Sequence, residues 1–186
     1  MDQPSGEYRD GTLPGNVVLG PGSVMTGALA FKRFAARGER ALVIGAMCTL
    51  DGATFAVGRD GRMAIGDYAH FSHAVLLCEA AITIGSHVVI GWNATLMDAD
   101  FHPLDAGERM ADAVALSPAG AGRARPAFRC APIVIEDTVW IGPLAAVLKG
   151  VRIGAGSVVE PGSVVTASVP PRCRVGGNPA RVLGAV

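Results

Sequence analysis

Aromatic residues are scarce, at 5% of a 186-residue chain that is 50% hydrophobic. A core of this size must therefore be filled by Val, Ile, Leu and Ala. Charge of one sign is also missing. Sixteen basic residues meet sixteen acidic ones, so there is no overall attraction to nucleic acid or to anionic lipid. No apolar run approaches the roughly 20 residues of a membrane span, and the chain is read as not inserted in a membrane. Residues 1–16 form a polar segment carrying Asp2, Glu7, Arg9 and Asp10, with no apolar stretch of a secretory leader, which points to a cytoplasmic protein. Cys48, Cys78, Cys130 and Cys173 are scattered without a C-x-x-C pair. They read as small hydrophobes in a reducing compartment, not as a disulfide frame or zinc site, and no metal is expected.

What the chain does have is glycine, 25 residues of it, and a repeat. From Ile135, aliphatic residues recur every six positions: Ile135, Ile141, Val147, Ile153, Val159 and Val165. Four residues after each stands a small or β-branched residue, namely Val139, Ala145, Val151, Ser157, Ser163 and Val169. The same spacing recurs in Leu19, Met25, Phe31, in Ile65, Phe71, Leu77, and in Ile84, Ile90, Leu96. A helix needs a period of 3.6 and a strand a period of two. Six fits short strands separated by a corner in every hexapeptide, with Gly, Asn or Asp supplying the unusual corner dihedrals. Stacked coils then pair by backbone hydrogen bonds and pile their aliphatic residues inside, as a solenoid does. An ordinary sandwich of short strands is the alternative, and the unbroken run from Ile135 to Val165 argues against it. The register is lost around 31–42 and 56–64, which are expected to be wider coils or small loops.

The domain reading is a polar segment 1–16, one β-helix over 17–183, and a tail 184–186. The repeat is interrupted once, by an excursion over 98–131. A long break inside a compact domain is usually functional or disordered. Its start carries His102 with Asp98, Asp100 and Asp105; Glu108–Leu116 reads as a short helix; the Ala/Gly/Arg-rich stretch Ser117–Arg125 reads as loose. An imidazole titrating near neutrality suits a general base. One of the neighbouring acids, or a backbone carbonyl, would hold its tautomer, with Asp100 the first choice. A solvated loop histidine is the bland alternative.

The pattern [LIV]-G-x-x-[STAV]-x resembles the hexapeptide-repeat acyltransferases, strongly over Ile65–Leu183 and weakly over Val17–Ala64. That resemblance implies an all-β chain folded as a left-handed parallel β-helix with one long loop excursion. The order GWNATL, then DADFHPLD, then VWIG is similar to that of galactoside, maltose and xenobiotic acetyltransferases. It implies an acetyl-CoA-dependent transferase with His102 as base and Asn93 as a substrate contact. His70 and His73 flank inward Phe71, and one or both could face the acceptor groove, His73 being taken as the second substrate-binding candidate, with a packing or surface role as the alternative for each; His87 reads as bland. The C-terminal stretch from VWIG to NPAR looks like the family's CoA groove. It places Trp140, Gly142, Ala145, Gly162, Thr166 and Arg181 there, although small residues also simply permit tight coils. Two positions depart from the pattern: Ala167 stands where the family has Lys, leaving Arg172 or Arg174 for a phosphate, and Pro143 replaces a small polar residue. The γ-class carbonic anhydrases share such a helix but bind zinc through three His, two of them five residues apart, a spacing this chain lacks. The resemblance further implies a homotrimer with sites between subunits. The acceptor class is a sugar, polysaccharide unit or glycosylated natural product taking an O-acetyl group. N-acylation of an amino sugar and a non-catalytic scaffold are the competing readings.

Overall fold

The computed structural model describes residues 13–26 and 31–186, so most of the polar segment 1–16 lies outside the described residues. The strands fall into three sheets of six, eight and five strands, parallel except for the last strand of the second, and each sheet is one face of a coil stack. On the first face, Leu19, Ile44, Ile65, Ile84, Ile135 and Ile153 pair in register from coil to coil. On the second face, Met25, Leu50, Phe71, Ile90, Ile141, Val159 and Val175 do so. On the third, Phe55, Leu76, Leu96, Val147 and Val165 line up, with the Phe31 ring stacked on Phe55 at 5.7 Å. These columns form one continuous core with the residues two positions before them, which are large on the first face (Leu42, Met63, Ile82, Ile133) and small on the third (Ala53, Ala74, Ala94, Ala145); Leu19 and Met25 at the first coil are only partly buried. The period-six residues are thus the inward residues of their strands, with one exception.

One register is corrected. Leu76, not Leu77, is the inward residue of its strand, at 0% exposure. The corner after Phe71 is one residue shorter than the corner after Ile90, so a strict count of six overshoots and lands on Leu77, which is only half-buried on the outside of the third face.

The corners explain the rest of the hexapeptide. Between the first and second faces run Gly22, Met47, Tyr68, His87, Thr138, Gly156 and Arg172; between the second and third run Gly52, His73, Asn93, Leu144 and Gly162. All have φ between 51° and 71°. Glycine, expected to supply these dihedrals, holds only some of the positions. At the others the Cβ strain, about 1–2 kcal/mol per residue, is offset by coil stacking. Ten of these left-handed N–H groups, all but those of Gly22 and Asn93, donate to the coil before, as in His73 N to Asp51 O at 2.6 Å and Leu144 N to Trp92 O at 2.8 Å. Glycine is needed elsewhere, directly after an inward aliphatic. A Cβ on Gly142 would stand 2.6 Å from Pro161 N of the next coil.

The edge between the third and first faces is the irregular one. Turns widen there at Gly58–Gly61 and at Glu79–Ala80, and from the same edge the long excursion departs. Asp98, fully buried at its root, accepts from Glu79 N at 2.7 Å and Ala80 N at 2.8 Å. The stem is closed by Ala131 N donating to Asp98 O and Asp100 N donating to Arg129 O, around an antiparallel bridge of Ala99 and Cys130. The stack ends in an antiparallel hairpin of Cys173–Gly177 and Ala180–Ala185, so the segment read as a tail from 184 begins inside a strand.

Candidate active site

The excursion folds back as one short helix, Ala106–Leu116, starting two residues before the expected Glu108. The cause is Asp105, whose Oδ1 accepts from Glu108 N at 2.9 Å and caps the first turn. This helix buries a single residue, and it is a carboxylate, Asp112. A helix without a buried apolar stripe must be held by something else. Asp112 Oδ2 accepts from His102 Nδ1 at 2.7 Å, and Arg125 holds it with Nε at 2.7 Å to Oδ1 and Nη2 at 3.1 Å to Oδ2. The stretch Ser117–Arg125, read from sequence as loose, opens with a 3-10 turn, Pro118–Gly120, and ends in this ion pair.

The Arg125 and His102 hydrogen bonds hold the Asp112 carboxyl down at about 2, below the usual carboxylate range. An ordinary Asp titrates near 3.9. A depressed folded-state value means the pair's contribution to stability is complete above that range and is lost only as the pH falls toward 2. At neutral pH Asp112 is therefore an acceptor only, and the ring nitrogen facing it must donate. In the neutral imidazole this leaves Nε2 with the free lone pair. The His102 side chain is 55% exposed and lines a cleft of about 190 Å³ with Arg33, Leu77, Glu79, Phe101, Leu116 and Arg125. Burial and the neighbouring Asp98 raise the Glu79 carboxyl, against the lowering by Arg125.

Asp100, the first choice to orient His102, does not touch it. Its carboxylate is paired with Lys149 of the next coil, and Asp112 takes the role assigned to it. Asp100 lines a separate cleft of about 310 Å³ at the start of the helix, with Asp105, Glu108 and Phe128. Asn93 and His73 both sit in the corner column between the second and third faces, outside the His102 cleft. Asn93 is exposed; the His73 ring stacks on Trp92 at 4.2 Å, with Nδ1 3.8 Å from Asp51.

None of the six residues read as a CoA groove lines either cleft. Trp140 faces outward on the second face at 41% exposure; Gly162, Thr166 and Arg181 are exposed. Ala145 points into the core at 1% exposure, and Gly142 is accounted for by its contact with Pro161. For these two, tight coiling by itself accounts for the residue type. Sequence reading missed Asp112, Arg125, Glu79 and Arg33. Only Asp112 left a trace, as an acid in the Ala-rich centre of a helix with no apolar stripe. No group of three or more His, Cys, Asp or Glu among the described residues is arranged to hold a metal ion.

Residues 132–167 match the family described as bacterial transferase hexapeptide, six repeats. The solved structure of a hexapeptide-repeat acetyltransferase from Vibrio cholerae in complex with acetyl-CoA superposes with a TM-score of 0.61 at 33% identity, over 90% of this chain and 69% of that one. A galactoside O-acetyltransferase of Lactococcus lactis is 33% identical over 125 residues, 67% of this chain and 53% of that protein. An acetyltransferase of Schizosaccharomyces pombe is 42% identical over 109 residues, 59% of this chain and 45% of that protein. The chain spans about half the length of these two curated relatives. It belongs to the hexapeptide-repeat acetyltransferase family, and its coil stack is that family's left-handed parallel β-helix.

Proposed function

We propose that this chain moves an acetyl group from acetyl-CoA to a hydroxyl of a sugar, polysaccharide unit or glycosylated natural product. The carrying observation is the His102–Asp112 contact at the rim of a cleft. His102 Nε2 takes the proton from the acceptor hydroxyl as that oxygen attacks the thioester carbonyl. The imidazolium so formed, stabilised by Asp112, returns the proton to the departing thiolate. The acetyl group goes directly from sulfur to oxygen, with no covalent bond to the protein. Leu77, Phe101 and Leu116 offer apolar surface to the C–H face of a sugar, and Glu79 offers acceptors for its hydroxyls. Arg33 sets a further guanidinium in the same cleft, a donor for the oxygens of a hydroxylated acceptor.

The working assembly in this reading is a homotrimer, in which a neighbouring chain completes the site. Trp140, Thr166 and Arg181, outside this chain's own His102 cleft, would then serve CoA at the subunit boundary, with Asn93 and His73 on the acceptor side. Support comes from the half-buried apolar row Ala56, Leu77, Met97 and Leu148 on the outside of the third face. A cytoplasmic location is supported by the four free cysteines. No helix among the described residues is long and apolar enough to cross a membrane.

Titration calorimetry with acetyl-CoA, followed by thiol release against a panel of hexoses, galactosides and amino sugars, tests the reading. Binding, and release with hydroxyl acceptors that lack an amine, are expected. Absence of acetyl-CoA binding would mean a scaffold, and release with amino sugars alone would mean N-acylation.

A further inference from the structure

Arg125 makes more contacts than an ion pair requires. Beyond its two bonds to Asp112, its Nη2 donates to Phe101 O at 2.6 Å, the carbonyl immediately before His102. Its guanidinium carbon lies 5.3 Å from the centre of the Phe128 ring. One side chain thus ties the residue before the imidazole, the carboxylate under the imidazole and the returning arm of the excursion to one another.

A buried carboxylate with an imidazole as its only strong partner draws a proton onto the ring, because a His⁺–Asp⁻ pair satisfies both. A protonated ring has no lone pair and is no base. Arg125 is always charged, and its fork matches the carboxylate in a bidentate manner. It supplies the compensating positive charge that His102 would otherwise have to supply.

We infer that Arg125 is a positioning residue that neutralises Asp112, so that His102 stays an oriented, unprotonated base. The inference rests on the transferase reading above. The other charged groups around the ring do not replace Arg125. Glu79 and Arg33 line the same cleft; Glu79 carries the opposite charge to Arg125, and Arg33 makes no hydrogen bond or ion pair to Asp112. Asp98 is capped by two backbone N–H groups, and Asp100 is paired with Lys149. Asp105 caps the helix, and Arg109 donates to the Pro103 and Leu104 carbonyls.

The test is an NMR titration of the full chain carrying ring-¹⁵N histidine, with the His102 signal assigned by loss in His102→Gln. In Arg125→Gln the His102 midpoint should rise by about one pH unit, a tenfold gain in proton affinity, since an opposite charge in contact shifts a titration by about 1–3 units and this ring is half exposed. Arg125→Lys keeps the charge and should move it by much less. In Asp112→Asn the ring faces Arg125 without its carboxylate, and the midpoint should fall below that of the natural chain. This arm decides the matter if Arg125→Gln does not fold. A midpoint unmoved in Arg125→Gln, or unmoved in Asp112→Asn, overturns the inference. The acid limb of the pH profile for acetyl transfer to a galactoside, read in parallel, separates the two readings. If the NMR midpoint rises and the limb stays, His102 is not the base, and Arg125's electrostatic role stands. If both rise together, both hold.

Discussion

His102→Ala is expected to lower acetyl transfer by about 10²–10⁴-fold, the usual contribution of a positioned general base. Acetyl-CoA affinity should stay within about twofold of the natural chain. The separation follows from where the ring sits. It hangs from the excursion, half exposed, and contributes nothing to the coil columns. Asp112 keeps both Arg125 contacts when the ring is removed, so the excursion retains its main anchor. Thiol release under saturating acetyl-CoA, together with calorimetry on the same preparation, gives both numbers. Turnover equal to that of the natural chain would remove His102 from the mechanism and leave the fold untouched.

Phe71→Ala is expected to cost about 3–5 kcal/mol of unfolding free energy in urea. Phe71 is fully buried, between Leu50 and Ile90 in the second-face column. A solenoid has no distant core to redistribute the loss, because each coil packs only on its two neighbours. The gap therefore weakens two inter-coil interfaces at once. Backbone pairing at His70 and Ser72 holds the coils at their spacing and resists collapse into the void. A loss below about 1 kcal/mol would mean that the columns do not carry the stability assigned to them.

The interior of the fold was open to reading because its signal is local and repeated. Ile135 to Val165 announce inward positions six residues apart, and each turned out buried. The count failed at Leu77 because a corner can drop a residue without altering the composition around it. Corners were harder still. Met47, Tyr68 and Leu144 take left-handed dihedrals that their residue types do not advertise, since inter-coil hydrogen bonds impose them.

In the candidate site, His102 was legible from its place at the break in the repeat, but its partners were not. Asp100 is close in sequence and was favoured for that reason, yet Lys149, far along the chain, claims it. Asp112 and Arg125 lie ten and thirteen positions from their partners, across a fold of the excursion that no period encodes. Ala145 and Gly142 illustrate the reverse ambiguity, in which residue types that coil packing already requires are also those a binding groove would use.

The most direct measurement is a crystal structure of the assembled protein with CoA bound. The CoA sulfur is expected within about 5 Å of a His102 ring, close enough for proton transfer directly or through one water. A sulfur far from every His102 in the assembly would contradict it.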